Sequence, residues 1–206
     1  EISSASLHLK EYAKAIEHSD ILIAQHSEHA DQAYALKGSA LDLLGKPREA
    51  IQTYKEAINI YPNDHLLYYN IALTYYNLKE FKEAEEALQK ATRINPDHAS
   101  SHLLLNNIML IQNNRVKAVL ALSNFLLLEP TSDRAKTAYQ VLDFQLNKGV
   151  QRNDKNNTTI MLDANQKEDE FNAAEMMLSL LAASKNLEKN EDKTESELFA
   201  DNLTSF

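Results

Sequence analysis

Asn59-Ile60-Tyr61-Pro62, Arg93-Ile94-Asn95-Pro96 and Leu127-Leu128-Glu129-Pro130 are three versions of one phrase, spaced 34 residues apart. Twelve residues before each proline stands an alanine (Ala50, Ala84, Ala118), and five before it a small or apolar residue (Ala57, Ala91, Phe125). The segments 31–64, 65–98 and 99–132 therefore align without a gap, and a fixed period of this length is the mark of a repeat architecture. Inside each unit the apolar spacing is helical. In the first, Tyr34, Gly38 and Leu41 form one stripe; after the turn Gly45-Lys46-Pro47, Ala50, Tyr54, Ala57 and Ile58 form a second. In the next, Tyr68, Ala72 and Tyr75 precede Ala84, Leu88 and Ala91. Small residues let two antiparallel helices approach closely, with an aromatic or leucine filling the space beside them. Proline ends the second helix because it lacks an N–H and clashes with the preceding turn, and Asp64 or Asp97 can cap the helix that follows.

The flanks read differently. Residues 1–30 are a partial or degenerate first unit: Tyr12, Ala15, Ile16, Leu22 and Ile23 suit its second helix, with Leu7 and Leu9 in what is left of the first. Its closing position holds Ser27 rather than proline. Residues 133–149, with Ala135, Ala138, Leu142 and Leu146, predict a capping helix ended at Gly149. Stacked repeats bury their faces only against neighbours and so need such ends. Residues 150–166 are polar and turn-forming and read as a linker loop. Residues 167–206 hold two amphipathic stretches, Phe171, Ala174, Met177, Leu178 and Leu181 behind the capping box Asp163–Gln166, and Leu198, Phe199, Leu203 and Phe206 behind Thr194–Glu197. Either they dock on the repeats as terminal helices, or one lies in the groove or is offered to a partner or a second copy.

Composition narrows the chemistry. The 206 residues carry a net charge of −9, no Cys and only three Gly. Gly38, Gly45 and Gly149 cannot spell a phosphate-cradling or nucleophile-elbow motif. No run of about 18 apolar residues predicts a membrane span, and acidity argues against nucleic acid as partner, because phosphate binding needs a basic stripe. The Lys79, Lys82, Glu80, Glu83, Glu85 and Glu86 alternation is a solvated helix face. His26 and His29, and His98 and His102, have metal-like spacings without a supporting third ligand, and no metal or cofactor is expected. A chain without Cys fits an oxidising cell envelope, and a start at Glu1 reads as a processed or trimmed end.

A 34-residue helix pair with a small residue in its first helix, Ala in its second, an aromatic and a closing Pro resembles the tetratricopeptide repeat (TPR). Lys37 departs from the family's usual Leu, and Asn106 from its usual Gly or Ala. The resemblance implies an all-α, right-handed superhelical solenoid of helix-turn-helix repeats with a C-terminal helical extension. It implies a non-enzymatic protein-interaction scaffold or adaptor that binds a helix or peptide in its concave groove. The alternatives are a self-associating structural component acting through residues 167–206, or a helical accessory domain of an enzyme acting in trans. Carried over from the family, the groove positions are Gln32, Ala35, Leu36, Ser39 and Asp42, then Leu66, Tyr69, Asn70, Leu73 and Tyr76, then Ser100, Leu103, Leu104, Asn107 and Leu110. Leu36 and Leu104 also suit contacts with the neighbouring repeat. The branch that grips a C-terminal carboxylate uses Lys, Asn and Arg here. Only Asn70 matches, so the expected lining is apolar, aromatic and amide-bearing: Ser39, Leu66, Tyr69, Asn70, Leu73, Tyr76, Leu103 and Asn107.

Overall fold

A computed structural model describes residues 11–152, 158–161 and 171–185. The capping boxes at Asp163 and Thr194 and the stretch Leu198–Phe206 lie outside these residues. The chain divides into two units, residues 1–112 and 113–206.

The first unit contains α1 (Tyr12–Ala24), α2 (Ala30–Leu43), α3 (Pro47–Ile60), α4 (His65–Asn77), α5 (Phe81–Ile94) and α6 (Ala99–Ile111). Each helix packs on the next, and α4 also touches both α2 and α6. That pattern, neighbours in sequence plus alternate helices, is what a solenoid of antiparallel pairs produces: α2, α4 and α6 share one inner face, and α3 and α5 lie outside them. The core is where the repeat placed it. Ala50, Ala57, Ala72, Ala84, Leu88 and Ala91 are fully buried, as is Tyr54. Gly38 is needed because the Tyr54 ring occupies the volume a Cβ would take. Burial pushes the Tyr54 phenol up to about 12, against the opposing hydrogen bond with Ser39. Lys37, an intruder at a leucine position, is held by Asp20 of α1 at 2.7 Å.

The turns repeat as faithfully as the helices. Gly45, Lys79 and Asn113 stand 34 residues apart and all have positive φ, at 76°, 61° and 57°. At the first two the chain closes with the same pair of bonds: Gly45 and Lys46 N–H donate to the Asp42 and Leu41 carbonyls, and Lys79 and Glu80 N–H to those of Tyr76 and Tyr75. This is a helix stop in which a left-handed residue turns the backbone so that orphan carbonyls are met. His26 does the same after α1, with φ 46°. At the other end of each pair, Tyr61 and Asn95 take φ of −121° and −132°, out of the helical region that a following proline disfavours. Asp64 caps α4 by accepting from the Leu66 N–H at 2.8 Å. For α6 the capping position falls on His98, and Asp97 lies one residue short of it, its N–H bonded instead to the Asn95 side chain. Arg48 and Glu80 form a two-pronged ion pair between α3 and the turn before α5, which holds the Glu80 carboxyl below its ordinary range.

The second unit holds α7 (Arg115–Leu128), α8 (Asp133–Asn147), the strands β1 (Val150–Arg152) and β2 (Thr158–Ile160), and α9 (Asn172–Lys185). Asn114 and Ser132 cap α7 and α8, each accepting a backbone N–H. The stretch expected as a linker loop instead pairs its two ends as an antiparallel hairpin, Val150 opposite Ile160. The β-branched residues Val150, Thr158, Thr159 and Ile160 favour extended backbone, a local preference that the surrounding polar residues hide. Gly149, with φ 79°, starts the hairpin after α8: a Cβ there would sit 2.6 Å from the Met161 carbonyl oxygen. α9 packs on α8, on both strands and on α7. Its spacing Phe171, Ala174, Leu178, Leu181 copies that of Phe81, Ala84, Leu88, Ala91 in α5, although Ser179 and Ala182 are its most buried residues.

Arg115 fastens this unit. It is 7% exposed, and its Nε donates to the Gln145 carbonyl at 2.6 Å and its Nη2 to the Leu146 carbonyl at 3.0 Å, both at the C-terminal end of α8. Its Nη1 donates to Ser179 Oγ at 2.9 Å and reaches Glu175 Oε2 at 3.4 Å on α9. A rigid guanidinium fork with five donors can satisfy helix-end carbonyls and a carboxylate together, which a lysine cannot.

Three outcomes are expected. Gly38→Ala gains about 1 kcal/mol of helix propensity but loses about 1–3 kcal/mol by overpacking against Tyr54, so urea denaturation gives a lower midpoint. Lys79→Gly removes a left-handed strain of about 1–2 kcal/mol and raises the midpoint, whereas Gly45→Ala lowers it. Arg115→Ala leaves a partly buried carboxylate and two carbonyls without their donor at a cost of about 2–3 kcal/mol, seen as faster hydrogen exchange and proteolysis within residues 172–185, and Arg115→Lys does not restore protection.

Candidate functional site

The inner face of the first unit is built by α2, α4 and α6, and on α4 the spacing of residues decides what it offers. Leu67, Tyr68, Ile71, Ala72, Thr74 and Tyr75 point into the core and are buried. That leaves Leu66, Tyr69, Asn70, Leu73 and Tyr76 on the other side of the helix, at separations of three and four that keep them on one face. Leu66 is 45% exposed and Leu73 37%, while Tyr69, Asn70 and Tyr76 are half-buried. The two tyrosines are braced from the side. The Tyr69 ring meets His98 edge-on at 4.9 Å, and His98 in turn meets His65 at 5.0 Å. Tyr76 packs edge-on against Phe81 at 5.8 Å. Edge-to-face contacts fix ring orientation, so these side chains are held in place before anything binds.

The remaining expected lining residues divide. Leu103 and Asn107 on α6 are half-buried, and Asn107 Oδ1 accepts from the Asn106 side chain at 3.1 Å. Asn106 itself is 2% exposed, and its Oδ1 has no hydrogen-bond partner. Leu104 is buried, whereas Leu36 and Leu110 are half-buried. Ser39 is engaged inward, its hydroxyl 3.1 Å from the Tyr54 hydroxyl on α3. Asp42 is bound across the face: Thr74 Oγ1 donates to its Oδ2 at 3.1 Å, joining α2 to α4.

His65, Asn95 and His98 were not among the expected lining residues. Asn95 Nδ2 and His65 Nε2 lie 3.0 Å apart, and His98 Nδ1 lies 2.7 Å from Ser101 Oγ. The available signal was the repeat itself: His98 aligns with Asp64, so an imidazole replaces a capping carboxylate at the entrance to α6. His102, paired with His98 by spacing, donates from Nε2 to the Pro96 carbonyl at 2.7 Å and is 8% exposed. The two histidines therefore serve different local bonds. Among the described residues, no three His, Cys, Asp or Glu side chains come together in a way that could hold a metal ion.

Charge is distributed by helix. α3 carries Arg48, Glu49, Lys55 and Glu56, and α5 carries Lys82, Glu83, Glu85, Glu86, Lys90 and Arg93. α4 and α6 contain no Asp, Glu, Lys or Arg. Chemically, the inner face of α4 and α6 offers apolar surface, aromatic edges and side-chain amides.

The sequence pattern of the tetratricopeptide repeat matches residues 8–65 in one form and 43–108 in another. No curated protein sequence matches the chain. Among solved structures, MamA is similar over 94% of this chain and 96% of its own, with 18% identity and a TM-score of 0.60. The first TPR of Spaghetti (RPAP3), bound to an HSP90 peptide, covers 56% of this chain and is itself covered over 94%, at 23% identity and a TM-score of 0.53. YrrB, described as a TPR protein with an unusual peptide-binding site, matches 67% of this chain and 71% of its own, at 19% identity and a TM-score of 0.56. With a 34-residue period, paired helices stacked in order and the family pattern running from residue 8 to residue 108, that stretch of the chain is built of tetratricopeptide repeats.

Proposed function

We propose that the chain is a protein-interaction scaffold that holds an amphipathic helix or an extended apolar segment along the inner faces of α4 and α6. The observation that carries this reading is the α4 stripe Leu66, Tyr69, Leu73 and Tyr76, uncharged and turned away from the core. Aromatic anchors surrounded by apolar contacts are what dominate binding energy in protein interfaces. Asn70 and Asn107 supply the polar contacts that fix direction and register along the groove. The family is generally one of non-enzymatic interaction modules, and the role assigned here is a binding role.

Preorganisation is the mechanism. Tyr69 and Tyr76 are already braced by His98 and Phe81, and Thr74 with Asp42 ties α2 to α4, so few side chains lose freedom on association. The absence of charge also sets the partner's chemistry. A segment ending in an acidic carboxylate finds no cation on α4 or α6 to meet it, so the groove favours uncharged, apolar side chains over an acidic terminus.

Affinity capture with the chain, followed by calorimetry on the captured partner, tests this. Tyr69→Ala and Leu73→Glu each weaken binding by tenfold or more, the scale of a hot-spot loss of about 2 kcal/mol, while circular dichroism shows an unchanged fold. Equal affinity of wild type and both variants overturns the groove as the binding surface.

A further inference from the structure

α7 holds the same repeat position as α3 and α5 but presents a different exposed side. Three columns of the repeat make the comparison direct. Gln52 and Glu86 are followed by Leu120, Glu56 and Lys90 by Asn124, and Asn59 and Arg93 by Leu127. All nine residues are exposed, and in α7 the two leucines are 54% and 80% exposed. A column that is polar or charged twice and turns apolar at its third member, in two places on one helix face, is a patch rather than a scattered exposed leucine. No carboxylate lies on α7. Its two cations are both directed elsewhere: Arg115 is buried in its network with α8 and α9, and Lys117 lies over the Phe171 ring at 5.2 Å.

We propose that this stripe is a contact between two copies of the chain, α7 against α7 about a two-fold axis at Asn124. The spacing Leu120, Asn124, Leu127 reads nearly the same in both directions, so an antiparallel copy places each Leu120 on the other's Leu127. A two-fold contact needs such self-complementarity, because the same patch serves both sides. Asn124 then meets its own counterpart, and an amide, being donor and acceptor at once, can satisfy itself. Electrostatics point the same way. In a chain of net charge −9, two copies approaching through α3 or α5 bring carboxylates together, whereas through α7 they bring none. Helix α7 has 14 residues, a length of about 21 Å, which makes the contact small and the dimer weak and concentration-dependent. This surface is separate from the inner face of α4 and α6 and does not depend on the groove reading.

Sedimentation across the micromolar range tests it. The average mass is expected to rise from 23.3 kDa toward twice that value. The double variant Leu120→Glu, Leu127→Glu stays at the monomer mass at every concentration, with an unchanged melting curve because both positions are exposed. In a chain without cysteine, Asn124→Cys forms a disulfide-linked dimer when treated with diamide. A wild type that is monomeric throughout overturns the proposal, as does a dimer that the double variant leaves intact or an Asn124→Cys chain that does not cross-link.

Discussion

The structure depends on how closely an inner helix can approach its outer partner. Gly38 gives its missing side chain to the Tyr54 ring, and Ala72 on α4 is as fully buried as Leu88 on α5. Small against large across a helix pair sets the spacing of the pair, and repeating that choice sets the spacing of the stack. Dispersion contacts between close-packed atoms are individually weak, but they vanish quickly with a gap of half an ångström, so the approach distance has little freedom. Asn106, at the place of Gly38 and Ala72, departs from this rule and leaves a buried oxygen without a partner.

Because packing fixes the backs of the helices, the fronts are open to other uses. On α4 the core takes Leu67, Tyr68, Ile71 and Tyr75, and what is left over forms the inner stripe. Charge follows the same division: α3 and α5 keep theirs in the solvent, and α4 and α6 have none. Among the inner helices, α2 keeps Asp31, Lys37 and Asp42 while α4 and α6 carry no charge, so on the proposed reading solvation by α3 and α5 and partner contact by α4 and α6 fall to different surfaces.

Much of this was legible in the sequence because it recurs. The 34-residue period placed the helix pairs, and Ala50, Ala84 and Ala118 named core positions that are fully buried. Features that occur once left no periodic trace. The hairpin lay under a polar composition, where Thr158, Thr159 and Ile160 were too few to outweigh their neighbours. Nothing in the sequence marks Arg115, since the carbonyls and carboxylate that hold it come from residues far along the chain. The cap of α6 lies one residue later than capping chemistry alone suggests: Asp97 has the better side chain, but the repeat register gives the position to His98. On the candidate face, the spacing of Leu66, Tyr69 and Leu73 was visible, but the bracing of Tyr69 by His98 and the inward engagement of Ser39 needed three dimensions.

The reach of the Arg115 network has a consequence for the order of folding. In the first unit, the ties between helices described above span one repeat at most: 15 residues from Ser39 to Tyr54, 32 from Asp42 to Thr74 and from Arg48 to Glu80, and 30 from His65 to Asn95. Arg115 to Glu175 and Ser179 spans 60 and 64. Closing a loop of twice the length costs only about 0.6 kcal/mol more, so the difference hardly affects equilibrium stability. It matters for timing. On a ribosome the earlier helix pairs emerge complete and can fold as they appear, while Arg115 must wait for some sixty residues of further synthesis before its counterion exists. Until then α7 and α8 lack the helix that fastens them, and their unit becomes a finished structure later than the helix pairs that precede it.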